Sequence, residues 1–161
     1  MSPLLCFPPE LEYEIFLFAF QNDHKDAKNL ILIAKRVFDW LIPHVFRVVT
    51  LYDYHSTPIR FNESVYQRYG HHTRHLLIGS PKLGKYLHLF PNIIDMALWI
   101  RYDPIYLPLL LQLPLARISI NPEALLCTQL LQVLTSLTHL EITDYDYSDH
   151  DSFRSIRTFL C

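Results

Sequence analysis

Glycine is scarce in this chain: three residues in 161. No Gly-x-Gly-x-x-Gly and no Walker pattern is present, which excludes a glycine-rich loop cradling phosphate. Positive charge is scarce as well, 14 Lys and Arg against 16 Asp and Glu, for a net charge of −2 with the nine histidines neutral. Those histidines carry the chain to net positive only below about pH 6.5. Nothing in this balance asks for a nucleic-acid partner. The three cysteines, Cys6, Cys127 and Cys161, form no close pair and no Cys-x-x-Cys. An odd, unspaced count suits a reducing compartment. The N-terminus lacks a basic region and Glu10 interrupts its apolar run, so it does not read as a signal peptide. The longest apolar stretch, Ile105 to Leu115, is broken by Pro108 and Pro114 and falls short of the roughly 20 residues that cross a bilayer. The expectation is a cytosolic or nuclear protein with no membrane partner. There is no Gly-x-Ser-x-Gly elbow, and no cysteine lies close to a histidine in sequence. No catalytic residue is selected, and no cofactor is expected.

What is abundant is leucine, 28 residues, within a composition that is 50% hydrophobic and 19% charged. That excludes disorder and permits a sizeable core. Residues 1–46 read as helical. Pro8 and Pro9 suit a helix start, because a first-turn proline loses no intrahelical bond. Glu10, Glu12 and Glu14 follow where the helix dipole favours negative charge. Leu11, Ile15, Phe18 and Ala19 recur at helical spacing, and Asn22 with Asp23 marks a turn. Leu30, Ile33, Ala34, Val37, Phe38 and Leu41 form a stronger stripe, with Lys28, Lys35, Arg36 and Asp39 on the other faces. Pro43 is expected to end or kink that second helix near Ile42. On spacing alone, this segment is a helical hairpin with its stripes packed together.

The period then changes. Residues 47–51 look like a strand, and 52–72 like a polar loop with one short helix. From Thr73 an apolar-x-x-apolar-x-apolar template recurs: Thr73, Leu76, Ile78; Ile93, Met96, Leu98; Leu115, Ile118, Ile120; Leu137, Leu140, Ile142. The starts are 20, 22 and 22 residues apart, and Phe46, Val49 and Leu51 fit the template 27 residues upstream. Helical runs fill the gaps: Leu83 to Phe90, Ile105 to Leu113, and a segment capped by Asn121 with Pro122 at its first position. Strand plus helix every 20–29 residues is the leucine-rich-repeat signature; a stack of purely helical repeats is the alternative. Parallel strands are expected near 47–51, 75–79, 95–100, 117–121 and 139–143.

Two polar clusters invite a chemical reading. His71 and His75 would share a helix face, but no carboxylate stands at zincin spacing, and the pair runs into the first repeat strand. No metal is expected there. Residues 144–151 carry four carboxylates, yet the glycine and glutamate that an EF-hand loop needs are replaced by Asp149 and Ser155. A polar loop explains them better, with Asp149 or Asp151 capping a helix from about Ser152.

Phe7-Pro8-Pro9-Glu10-Leu11-Glu12-Tyr13-Glu14-Ile15-Phe16 resembles the opening of an F-box. Leu30 to Val37, an apolar run with the basic pair Lys35-Arg36, is similar to that family's second hallmark. Trp40 to Arg47 resembles the continuation found in F-box-like proteins of mushroom-forming fungi. Phe7 stands where the family usually has leucine, and the aromatic after the basic pair is either Phe38 or Trp40. The resemblance covers about residues 4–50, and repeats behind it match a common F-box architecture. It implies an α/β protein: an F-box-like helical module over 1–46, then a short open leucine-rich-repeat solenoid with a parallel sheet over 47–161. The family's arrays are usually longer, and Cys161 falls inside what should be a helix, as expected of a fragment or a short paralogue.

The implied role is non-enzymatic: a substrate receptor that joins a Skp-type adaptor and its cullin ubiquitin ligase to a protein substrate. By the resemblance, the adaptor-binding residues would be Pro8, Pro9, Leu11, Ile15, Phe16, Leu30, Ile33, Lys35, Arg36 and Trp40. Strand geometry sends the neighbours of the template residues to the opposite face. These are His75, Leu77 and Gly79; Asp95, Ala97 and Trp99; Arg117, Ser119 and Asn121; His139, Glu141 and Thr143. His75, Asp95, Trp99, Arg117, Ser119, His139 and Glu141 are the expected substrate contacts, with Trp99 and Arg117 as anchors because those residue types dominate binding hot spots. A stand-alone repeat scaffold, its hairpin merely capping the array, is the alternative. A histidine-dependent metallohydrolase is a third reading.

Overall fold

In the computed structural model the chain divides into two compact units, residues 1–46 and 47–161. The residues described are 7–22, 27–51, 62–98, 104–120, 137–145 and 153–158.

The first unit holds α1 (Pro9–Asn22), α2 (Ala27–Ile33) and α3 (Lys35–Val45). The Pro8 carbonyl accepts the amides of Leu11 at 3.0 Å and Glu12 at 3.1 Å, so the proline pair opens α1 as its chemistry suggests. Phe20, Val37 and Leu41 are the buried centre, and Phe16, Leu17, Leu30, Ile31, Ala34, Trp40 and Val45 pack around them. The stripe from Leu30 to Leu41 is not one helix. Ala34 is extended (φ −156°, ψ 151°) and separates α2 from α3. This break turns Val37 and Leu41 inward and leaves Ile33 60% exposed. Pro43 does not end α3 either; the helix runs on to Val45. Near a C-terminus the missing proline N–H removes a single bond, and Phe46 still donates to the Ile42 carbonyl at 3.1 Å.

α1 corrects a second expectation. Leu11, Ile15 and Phe18 do not pack inside: they are 52%, 51% and 70% exposed, while Phe16, Leu17 and Phe20 face the core. The helix is apolar on two nearly opposite faces. The aromatic face fills more volume, and three short helices enclose only one of the two.

The second unit is built on a six-stranded sheet in sequence order: β1 (Val48–Leu51), β2 (His75–Ile78), β3 (Asp95–Leu98), β4 (Arg117–Ile120), β5 (His139–Tyr145) and β6 (Phe153–Thr158). β1 to β5 pair in parallel. The class is therefore α/β with a parallel sheet, and the ladder rules out the purely helical stack. Register aligns the template positions in columns, Val49–Leu76–Met96–Ile118–Leu140 and Leu51–Ile78–Leu98–Ile120–Ile142. The leading template residues Thr73, Ile93, Leu115 and Leu137 are all buried. One backbone device recurs at each entry. The carbonyls of Arg47, Arg74, Ile94 and Ala116 each accept two successive amides, of residues 74 and 75, 94 and 95, 116 and 117, and 138 and 139.

The connections depart further from expectation. The run from Leu83 to Phe90 is a 3-10 helix over Pro81–Leu89 rather than an α-helix. At about 2.0 Å rise per residue against about 1.5 Å, the tighter helix covers more length with few residues, which suits the shortest repeat. α4 (Glu63–Tyr69) and a 3-10 turn (Gly70–His72) precede β2. A 3-10 turn (Pro104–Tyr106) and α5 (Leu107–Leu110) precede β4. The expected helix from Ser152 is instead β6, antiparallel to β5 with Tyr145 opposite Phe153. Phe153, Ile156 and Thr158 are good strand formers, and they fold back on the edge that β5 presents. Asn121 and the capped segment after it, with Asp149 and Asp151, lie outside the described residues.

Thr73 stands where the other repeats carry leucine or isoleucine. It is fully buried, and its Oγ1 has no hydrogen-bond partner. A buried, unpaired hydroxyl costs about 1–3 kcal/mol. Thr73→Val keeps the shape and removes the cost, so the variant is expected to gain about 1 kcal/mol. The check is a higher urea midpoint at unchanged slope; a lower midpoint would show the hydroxyl to be satisfied in solution.

Candidate functional site

The helical unit presents its expected docking residues unequally. Pro8, Pro9, Leu11, Ile15, Ile33, Lys35 and Arg36 are exposed, whereas Phe16, Leu30 and Trp40 are half-buried. Phe16, Leu30 and Trp40 pack against the unit's own core, so they support the surface more than they form it. Arg36 Nη2 lies 2.7 Å from Glu12 Oε2 and donates to Oε1 at 2.8 Å, tying α3 to α1. The Arg36 guanidinium also stands 5.9 Å from the centre of the Trp40 ring. Trp40 in turn meets Tyr13 edge to face at 5.9 Å and 87°. Tyr13 Oη is 3.3 Å from His44 Nε2, which holds the tyrosine ring in place. Phe18, 70% exposed, is a surface residue that the motif reading left in the core stripe. Tyr13, Glu10 and Glu14 were not singled out either; only their i, i+3, i+4 spacing pointed to a shared flank of α1.

On the strand unit, the face opposite the core carries two rows. Val48, His75, Asp95, Arg117 and His139 align in one, and Thr50, Leu77, Ala97, Ser119 and Glu141 in the other. His75 Nδ1 lies 3.3 Å from Asp95 Oδ2 across β2 and β3. Arg117 and His139 are exposed, and His75, Asp95, Ser119 and Glu141 are half-buried. Register thus brings together six of the seven expected substrate contacts. The seventh, Trp99, lies outside the described residues. Two neighbours expected on this face are not there. Gly79 is buried beyond the end of β2, its amide donating to the Leu51 carbonyl at 2.7 Å. Thr143 is buried, its hydroxyl directed at the Ile120 carbonyl at 3.4 Å.

Among the described residues, no three His, Cys, Asp or Glu side chains gather as a metal-holding group. His71 and His72 sit in the 3-10 turn with ring centres 3.8 Å apart, while His75 opens β2. Burial, then the charges of His71 and Arg74, pushes the pKa of His72 below its ordinary 6.5. As pH falls below 6.5, the unfolded chain takes up this proton before the folded one does. Stability is then lost until pH passes the folded-state value. His72→Gln is expected to flatten the decline between neutral and acid pH, read as urea midpoints at several pH values for both proteins. Parallel profiles would show that His72 titrates as it does in the unfolded chain.

No family model matches the chain, and no curated protein or solved structure matches it. Among the described residues, no helix is long and apolar enough to cross a membrane.

Proposed function

We propose that the chain is a non-enzymatic receptor. Its helical unit docks on a Skp-type adaptor of a cullin ubiquitin ligase, and its strand unit presents a protein substrate. The observation that carries this reading is the second apolar face of α1. Leu11 and Ile15 belong to the F-box-like motif, and they stand half out of the unit in line with Phe18. A stripe of this kind, on a unit that has already closed its own core, marks an interaction site. The strand unit supports a leucine-rich-repeat-like, open solenoid. Strand order follows sequence order, the buried template recurs, and connections of about 20 residues return each strand beside the last. The second face of its sheet, with mixed charge and half-buried Leu77 and Ala97, suits a protein partner better than a phosphate backbone.

The test is direct titration of the full chain with a purified Skp-type adaptor by calorimetry. A one-to-one complex of micromolar affinity or tighter is expected, about −8 kcal/mol. Absence of binding would leave a stand-alone repeat scaffold in which the helical unit only covers the first strand's connection.

A further inference from the structure

Beside the exposed stripe, a shallow open groove on the helical unit is lined by Pro9, Glu10, Tyr13, Glu14 and Trp40. Its composition is unusual for a docking surface: two aromatic rings, two carboxylates and a proline, with no cation. Tyr13 and Trp40 stand at 87° to one another, so their rings form two adjoining walls. Glu10, Tyr13 and Glu14 share one flank of α1 by their spacing, which sets both carboxylates beside the tyrosine. An aromatic face attracts a cation through its quadrupole, and the attraction strengthens where the cation is partly desolvated.

The chain itself shows what this chemistry holds. Arg36 stands over Trp40 with its guanidinium bound to the Glu12 carboxylate, so an aromatic ring and a carboxylate together seat an arginine. Neither Arg36 nor Glu12 lines the groove. The groove offers the same pair of groups a second time, twice over in carboxylate, with the guanidinium missing.

We propose that this groove binds an arginine side chain of a partner polypeptide. The guanidinium lies against Trp40 and Tyr13 and donates to Glu10 and Glu14, and Pro9 closes one end. A planar, weakly hydrated guanidinium fits an aromatic wall with flanking carboxylates better than a compact ammonium does. The site goes beyond adaptor docking, because it defines a residue type and not a particular partner.

The test uses the full chain labelled with ¹⁵N, whose two tryptophans give two indole signals. Trp40→Phe identifies the Trp40 signal. The probes are the capped tripeptides Gly-Arg-Gly, Gly-Lys-Gly and Gly-citrulline-Gly. Citrulline keeps the planar head of arginine and removes its charge. The arginine peptide is expected to shift the Trp40 indole saturably in the millimolar range, leaving the Trp99 indole in place, with lysine weaker and citrulline about tenfold weaker or silent. Glu10→Gln with Glu14→Gln is expected to weaken the arginine response by about tenfold while both indole signals stay dispersed. An unmoved Trp40 signal, an equal response to citrulline, or an unchanged response in the double variant would overturn the proposal. The probes carry no adaptor sequence, so their failure leaves the docking role of the apolar stripe standing.

Discussion

Phe90→Ala is expected to cost the strand unit about 3–5 kcal/mol, the range for removing a fully enclosed aromatic ring. Phe90 is completely buried at the end of the Pro81–Leu89 helix. It meets Tyr66 of α4 edge to face, ring centres 5.4 Å apart. Burial also pushes the pKa of Tyr66 above its usual value, in keeping with an apolar surround. The backbone leaves no room for the neighbours to collapse into the cavity. A Cβ placed on Gly70 would collide with the Leu89 carbonyl and press on the Phe90 ring. Since domains are stable by only about 5–15 kcal/mol, the variant is expected to melt at least about 10 °C below the parent. Gly70→Ala attacks the same junction from the other side, and there a backbone carbonyl has to move. At Gly84 an added Cβ would meet only the side chain of Tyr106, which is half-buried and free to rotate. Calorimetric scans of the three variants check this ordering. A Phe90→Ala melting point within about 2 °C of the parent would mean that α4 does not pack on this helix in solution.

The second large effect is on binding. Leu11→Ala with Ile15→Ala is expected to weaken adaptor binding by at least about 100-fold, which takes a micromolar complex out of practical reach. Both side chains are about half exposed in the free chain, at 52% and 51%. Truncation therefore removes little burial from the folded unit and is expected to cost no more than about 1 kcal/mol of its stability. The two readouts separate the roles. Lost affinity with an unchanged melting curve assigns α1's outer face to a partner. A melting curve that falls with affinity would place Leu11 and Ile15 in the core, and undiminished affinity would remove this face from the docking surface.

The strand unit was largely legible because period-two burial, turn residues and a 20-to-22-residue recurrence all pointed the same way. Val49, Leu76, Met96, Ile118 and Leu140 were identifiable as one column before any register was known, since each occupies the same slot of its template. The helical unit was harder to read. On α1 both faces are apolar, so periodicity could not say whether Leu11, Ile15 and Phe18 or Phe16, Leu17 and Phe20 turn inward. That choice is made by volume against α3, which no single helix records. The break at Ala34 was invisible for a similar reason. Alanine has the highest helix propensity, and its extended backbone is imposed by the packing on either side. β6 was missed because the polar stretch before it gave a credible helix cap, whereas strand pairing with β5 is a long-range gain. On the sheet's second face, alternation located His75, Asp95, Arg117 and His139 correctly. It failed at Gly79 and Thr143, where the pleat ends and side chains turn back toward neighbouring backbone.

The carbonyls that each hold two amides have a kinetic consequence. Within the strand unit every strand pairs only with its neighbours, so the unit can open one strand at a time from either side. An amide pair sharing one acceptor is released in a single event. Hydrogen exchange at 74 and 75, at 94 and 95, at 116 and 117, and at 138 and 139 should therefore proceed in matched couples. The innermost couples, entering β3 and β4, are held from both sides and should persist longest. Such a sheet frays by whole repeats, and the peptide seated across its rows would slow the loss of each repeat it touches.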